Sequence, residues 1–401
     1  MSAQSAVLPG STLGVMGGGQ LGRMFVQSAQ RMGYRTVVLD PDADSPAGRV
    51  SETHLQFPYL APEGLRQLSA LCGAITTEFE NVPSEALAQL AQQRPVAPGA
   101  EAVAIAQDRA REKAHFLKCG VPVAPHQVIA QAHELASVPA ALFPGILKTT
   151  RLGYDGKGQI RVRQASELVA AWQTLQGQAA TPVTCVLEKM LPLAAECSVI
   201  VARGGDGQQV HLPIQRNLHR EGILAVTEVF PGAIDPALSQ QAIAAAQAVA
   251  AGLNYVGVLC VEFFLLAPGP DREALGSLVV NEMAPRPHNS GHYSQDACDV
   301  SQFELQVRCM AGLPLTAPRQ HSPALMLNLL GDLWFQSAEG PPTEPPWDRV
   351  LALPGTHLHL YGKTSARPGR KMGHLNVTGA SPEAVRATAL EAAKLLGIAP
   401  F

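Results

Sequence analysis

Through the first hundred residues, short runs of β-branched and apolar side chains alternate with stretches of helical spacing. Thr12–Met16 predicts a buried strand, followed by a glycine turn and a helix over 21–32. Arg35–Asp40 and Gly73–Thr77 predict further strands, with helices over Pro62–Leu71 and from Ser84 onward. This alternation implies a parallel sheet covered on both faces. Pro95 and Pro98-Gly99 break the rhythm near residue 100, and the first domain is taken as residues 1–106.

A charged helix over Asp108–Lys118 opens the next region, followed by a strand ending at Lys148 and a glycine-dense loop. Alternating strands are then predicted over Pro182–Glu188, Glu196–Ala202, Val210–Gln215 and Ile223–Phe230. The alanine-rich stretch Leu238–Gly252 is a helix by propensity, and Val256–Leu266 and Ser277–Asn281 are strands. Runs of strands with helices beside them suggest an α+β domain, residues 107–313. A third, β-rich unit over 314–401 has strands at Leu325–Leu330, His357–Tyr361 and Gly373–Val377. A helix closes it, with Ser381 as N-cap and Pro382 at its first position.

Composition narrows the class. Apolar residues make up 46% and charged residues 16%, which suits filled cores and not a disordered chain. Net charge is −3, giving no general reason to bind nucleic acid or an anionic membrane. Nothing approaches the ~20 apolar residues of a membrane span, and Met1–Gly10 has neither the basic nor the apolar part of a secretory signal. The 7 cysteines are scattered without C-x-x-C spacing, as expected of reduced core thiols in a cytoplasmic protein.

Candidate chemistry begins at the glycine turn. Gly17-x-Gly19-x-x-Gly22 joins a strand to a helix, and Asp40 closes the next strand. The spacing matches a dinucleotide fingerprint, in which an acid takes a ribose hydroxyl. The same turn also suits another phosphoribosyl group, or plain tight turning. Lys148 and the loop Gly153–Gln159 form a second phosphate-type motif, where freed backbone N–H groups wrap an anion; the alternative is an ordinary hairpin turn.

Glu262 lies within the apolar V-E-F-F run, and Glu282 follows Val279-Val280-Asn281. A carboxylate there is costly to bury alone. With Asn281 the two form an all-oxygen set suited to Mg²⁺; otherwise they are strand-edge acids meeting water or an arginine. His288 and His292 have H-x-x-x-H spacing, but Pro287 and Gly291 argue against one helix presenting both to zinc. Arg367, Arg370 and Lys371 surround a turn, suited to an exposed phosphate or simply solvated.

In order along the chain, G-G-G-Q-L-G-R, T-E-F-E-N-V-P, G-Y-D-G-K-G-Q, N-E-M-A-P-R-P-H-N-S-G-H and R-P-G-R-K-M-G-H-L-N resemble the motifs of the 5-(carboxyamino)imidazole ribonucleotide synthases. These are ATP-grasp carboxylate–amine ligases of purine biosynthesis, and the resemblance spans about residues 12 to 378. It implies a Rossmann-like (pre-ATP-grasp) N-terminal domain, an ATP-grasp central domain and a small β-rich C-terminal domain. It also implies ATP and Mg²⁺, with 5-aminoimidazole ribonucleotide and bicarbonate as substrates, and a homodimer.

By position, the resemblance puts ATP against Arg109, Lys148, the loop Gly153, Tyr154, Asp155, Gly156, Lys157, Gly158 and Gln159, the segment Glu188, Lys189, Met190 and Leu191, and Glu196, His219, Asn281 and Glu282. Glu262 and Glu282 would hold the metal. The ribonucleotide would meet Gln20, Leu21, Glu78, Asn289, Lys363, Arg370 and Lys371, with Tyr154, His219, His292 and Lys363 around the reacting groups. Leu152 departs from the second glycine that many relatives carry there, which stiffens the loop hinge.

Three rivals are weighed. A formate-dependent glycinamide ribonucleotide transformylase shares the later motifs, but Tyr154-Asp155 and Asn289–His292 fit it less well. A nicotinamide oxidoreductase rests on Gly17, Gly19, Gly22 and Asp40 alone. A non-catalytic nucleotide-binding regulator leaves the two acids without a purpose.

Overall fold

The computed structural model describes residues 6–151, 158–179, 181–335 and 341–401. The predicted loop residues Gly153, Tyr154, Asp155, Gly156 and Lys157, with Leu152, lie outside the described residues.

The first region is an α/β layer. Its parallel sheet runs in the order Thr53–Leu55, Arg35–Leu39, Thr12–Met16, Ala74–Thr77. The strands are buried on both faces, which explains their unbroken apolar runs. Helix Gln20–Arg31 covers one face through Leu21, Met24, Phe25 and Ala29. That same core takes in Phe303, Val307, Met310 and Ala311 from helix Gln302–Ala311. The central region is therefore anchored to the first by a shared apolar core, in which each buried large side chain contributes about 1.5–3 kcal/mol.

A nine-stranded antiparallel sheet forms the middle of the molecule. It runs Leu278–Ala284, Gly257–Leu266, Leu193–Arg203, Gln215–Arg220, Ile223–Val229, and continues into Ala324–Leu330, Lys371–Thr378 and Thr356–Leu360, with Gln209–His211 beside Leu193–Arg203. The ladder thus crosses from the central strands to the C-terminal ones without a break. Helix Pro236–Gly252, capped by Asp235 accepting from the Ala237 and Leu238 N–H groups, lays Ala242, Ala246 and Val249 on one face. Helix Pro382–Leu396, capped by Ser381, covers the C-terminal strands.

A smaller antiparallel sheet, His126–Ile129, Cys185–Lys189, Gly145–Thr149 and Gln159–Val162, packs on helix Ala165–Gly177. Gly145–Thr149 and Gln159–Val162 pair directly, and the Thr149 N–H donates to the Gly158 carbonyl.

One strand expectation is corrected. Val210–Gln215 is not continuous: Gln209–His211 and Gln215–Arg220 are separate strands, because Pro213 lacks the N–H a ladder needs. Among the described residues no helix is long and apolar enough to cross a membrane. All 7 cysteines are free; six are buried and Cys119 is half-buried.

Candidate active site

The three regions meet around a cleft of about 1140 Å³. Its walls include Gln20, Leu21, Glu78, Arg109, Lys148, Gln159, Glu196 and His219. Across from them stand Glu262, Asn281, Glu282, Asn289, His292, Lys363, Arg370 and Lys371. Residues as far apart in sequence as Gln20 and Lys371 thus converge. Gly158 and the segment Glu188, Lys189, Met190 and Leu191 do not line it. Leu191 packs its side chain with Ala124, Leu266 and Val279, Lys189 pairs with Asp271, and Met190 is exposed.

The glycine turn is filled from within. Glu78 accepts from the Gly19 N–H at 3.0 Å and the Gly22 N–H at 3.1 Å, and Asp40 accepts from the Gly18 N–H at 2.7 Å. A Cβ on Gly19 would lie 2.5 Å from Glu78 Oε1, and one on Gly17, where φ is +102°, 2.4 Å from Glu78 Cγ. These glycines are required by the approach of Glu78. The donors that a dinucleotide's pyrophosphate needs at this helix N-terminus are already taken. Asp40 also accepts from Tyr59 at 2.6 Å and the Asp42 N–H, so it is not presented to a ribose. Burial raises the Glu78 carboxyl above its ordinary value, only partly offset by the two N–H groups.

On the opposite wall, Glu262 and Glu282 face each other in register on adjacent strands. The register slips immediately after Glu262, where Phe263 pairs with Val280, so Asn281 is the extra residue of a bulge. Strict alternation would send Asn281 and Glu282 to opposite faces; the bulge turns both into the cleft. Glu282 meets Arg109 at 3.0 Å and is half-exposed, so the arginine alternative and the cleft position both hold.

Glu262 is buried, with His288 Nε2 2.8 Å from Oε1 and His219 Nε2 3.9 Å from Oε2. Burial alone would raise its carboxyl, but the facing His288 and His219 outweigh that and hold it at about 2. It is an ionised, oxygen-only partner for Glu282, which fits a hard divalent cation. Cys260 and His288 also place ligand atoms within 4.8 Å of Glu262, but burial pushes the Cys260 thiol well up and keeps it protonated.

His219 Nδ1 lies 2.9 Å from Glu196 Oε2. Burial lowers the imidazole's affinity for a proton, yet Glu196 and Glu262 raise it overall. Asn289 is buried in the wall with neither carboxamide atom hydrogen-bonded. His288 and His292 diverge: His288 turns to Glu262 and Ser290, while His292 accepts from Gln302 at 3.0 Å and has its ring 4.6 Å from that of His374, tilted against it. The two imidazoles thus serve different partners. Burial, then the neighbouring His288, pushes His292 well below the ordinary imidazole value.

Lys363 donates to the Lys371 carbonyl at 2.6 Å and sits over the Tyr361 ring, and Arg370 donates to Ser365. The Arg49 guanidinium donates to the Gly362 carbonyl at 2.7 Å, tying this turn to the first region.

Several polar residues at the site escaped the sequence reading. Arg286 pairs with Glu80 across the interdomain seam. The helix read as charged over Asp108–Lys118 runs Arg109–Lys118 and turns two of its charges inward: Glu112 accepts from the Met283 N–H at 2.7 Å and Lys113 pairs with Glu188 at 3.0 Å, while Arg111 and Lys118 stay exposed. The N-cap Asp108 directly before Arg109 was the available signal, since it fixes where the helix starts and which side Arg109 faces.

The fold and this cleft define an ATP-grasp enzyme. The ATP-grasp domain family matches residues 114–303, the ribonucleotide synthetase preATP-grasp domain 11–107, and the phosphoribosylaminoimidazole carboxylase C-terminal domain 324–388. The N5-carboxyaminoimidazole ribonucleotide synthase of Brucella melitensis is 40% identical over 93% of this chain and 97% of its own. A Staphylococcus aureus N5-carboxyaminoimidazole synthetase solved with ADP superposes with a TM-score of 0.86 at 34% identity, covering 98% and 99% of the two chains. The Aspergillus clavatus N5-carboxyaminoimidazole synthase, solved with ADP and 5-aminoimidazole ribonucleotide, gives 0.82 at 30% identity over 96% and 98%. The chain belongs to the N5-carboxyaminoimidazole ribonucleotide synthase family and is a ligase.

Proposed function

We infer that the chain uses ATP and bicarbonate to carboxylate the exocyclic amine of 5-aminoimidazole ribonucleotide, releasing ADP and phosphate. The observation that carries this reading is the convergence, in one cleft, of the acids Glu262 and Glu282 with the glycine turn, Asn289 and the Lys363–Lys371 turn. A buried carboxamide with both atoms unpaired is suited to a ligand offering a donor and an acceptor together, as an aminoimidazole ribonucleotide does.

Lys148 and Arg109 neutralise the phosphates, and Glu196 takes ribose hydroxyls. Magnesium held by Glu262 and Glu282, with Asn281 beside them, would supply charge neutralisation for the phosphoryl group. A bicarbonate oxygen takes the γ-phosphoryl group, giving carboxyphosphate and ADP. The amine nitrogen then bonds to its carbon, either directly as the carbon–oxygen bond to phosphate breaks or after that break has released carbon dioxide. Lys363 offsets the developing carboxylate, and a histidine beside the reacting groups, His219 or His292, relays the amine proton. The cleft shelters the mixed anhydride from water. A cytoplasmic homodimer belongs to the same reading.

Phosphate release from ATP, with magnesium and bicarbonate, tests it. Strong stimulation by 5-aminoimidazole ribonucleotide is expected. Stimulation by glycinamide ribonucleotide plus formate instead, or a nicotinamide absorbance change, would replace this reading with a rival.

A further inference from the structure

Lys113 carries an ammonium group into the interior with 1% of its side chain exposed. A lysine is rarely so fully enclosed unless paired. Its Nζ lies 3.0 Å from Glu188 Oε2, and Lys148 Nζ lies 3.3 Å from the same oxygen. The other oxygen, Glu188 Oε1, is buried without a partner. Two cations therefore share one atom of one carboxylate. Of the three, only Lys148 lines the cleft.

We propose that Lys113 is the fixed counter-ion of Glu188, and that its presence allows Lys148 to be given over to a nucleotide phosphate. Removing one partner of a buried pair strands the other charge, at high cost. If Lys148 were the sole partner of Glu188, turning it to a phosphate would strand the carboxylate. With Lys113 on the same oxygen, Lys148 departs from a pair that remains complete. Lys113 is thus a positioning residue acting through Lys148, and it does not touch the nucleotide. The inference rests on Lys148 as a phosphate ligand.

Calorimetric titration of the full chain with ATP and with adenosine, which has no phosphate, tests the proposal. Lys113→Met should weaken ATP at least tenfold and adenosine less than twofold, because Lys148 is then bound to Glu188. Lys113→Arg, which keeps a permanent charge beside Glu188, should stay within threefold of the parent chain for both ligands. Equal losses for both ligands in Lys113→Met, or unchanged ATP affinity there, would overturn the proposal. Should Lys113→Met fail to fold, Lys113→Gln, which keeps a hydrogen-bond donor without the charge, takes its place with the same selective ATP loss expected and the same results overturning it. Lys148→Met separates the underlying reading. A selective ATP loss there, without a selective loss in the uncharged Lys113 variant, refutes only the counter-ion role; unchanged ATP affinity there removes the phosphate reading and the proposal with it.

Discussion

At the glycine turn the chain's own carboxylates occupy backbone donors, whereas across the cleft the acids are met by side-chain cations and imidazoles. Glu78 and Asp40 cover the Gly18, Gly19 and Gly22 N–H groups. Glu282 is met by Arg109, Glu262 by His288, Glu196 by His219, and Glu188 by Lys113 and Lys148. Backbone donors held by a buried acid are fixed parts of the fold. Long side chains can turn away when a ligand arrives with its own charges. A turn that in isolation reads as a dinucleotide cradle therefore has its backbone donors taken, and the acids met by side chains are the ones prepared for exchange.

The sharpest break of this contrast is to remove the exchangeable acids. Glu262→Gln with Glu282→Gln should lower ATP-dependent phosphate release by at least ~10³-fold, a loss of about 4 kcal/mol in the barrier. Near-normal release would take the pair out of the reaction. Next in size, Lys363→Ala should reduce turnover that depends on 5-aminoimidazole ribonucleotide by ~10²-fold. ATP binding should change little, as read by titration; a matching loss of ATP affinity would move Lys363 to the nucleotide side.

The fixed side is tested through stability. Gly19→Ala drives a methyl group onto Glu78 and should cost about 1–3 kcal/mol in urea unfolding. Gly205→Ala, where nothing lies within 4 Å, should stay within about 0.5 kcal/mol. Equal effects would mean that Glu78 does not constrain the turn.

The smallest effect concerns pH. Burial depresses both His292 and His374 below the ordinary histidine value, helped by His288 at the first and by His292 at the second. Both are neutral when folded, while the unfolded chain takes up protons below about pH 6.5. Their contribution is thus present above that value and lost as pH falls beneath it, by up to about 1.4 kcal/mol per pH unit each. His219, raised by its acids, acts in the opposite sense as pH rises past its own value. His374→Phe should flatten the slope of stability between pH 6.5 and 5 by about half; an unchanged slope would mean that the pair does not titrate there.

Much of this was legible in the residues. The strand at Thr12–Met16, the helix capped by Ser381 and the opposed acids all follow from period, caps and burial cost. What fills the glycine turn was not legible, because Glu78 lies 59 residues beyond Gly19. Nor was the inward face of Arg109–Lys118: periodicity assigns charges to solvent, and only tertiary partners reverse it. Asn281 and Glu282 on one wall needed the bulge, which a sequence of alternating positions does not announce. His219 gained its place because Pro213 ended one strand and let another begin at Gln215.

The unbroken ladder from Ile223–Val229 to Ala324–Leu330 has a practical corollary. A fragment cut after residue 313 would present Ile223–Val229 as a raw edge, its amides and carbonyls ready to recruit any extended peptide. The apolar side chains of Val226 and Val229 would be bared along with it. The central region should therefore precipitate when expressed alone, and inhibitors or antibodies raised against it need the intact chain as their target.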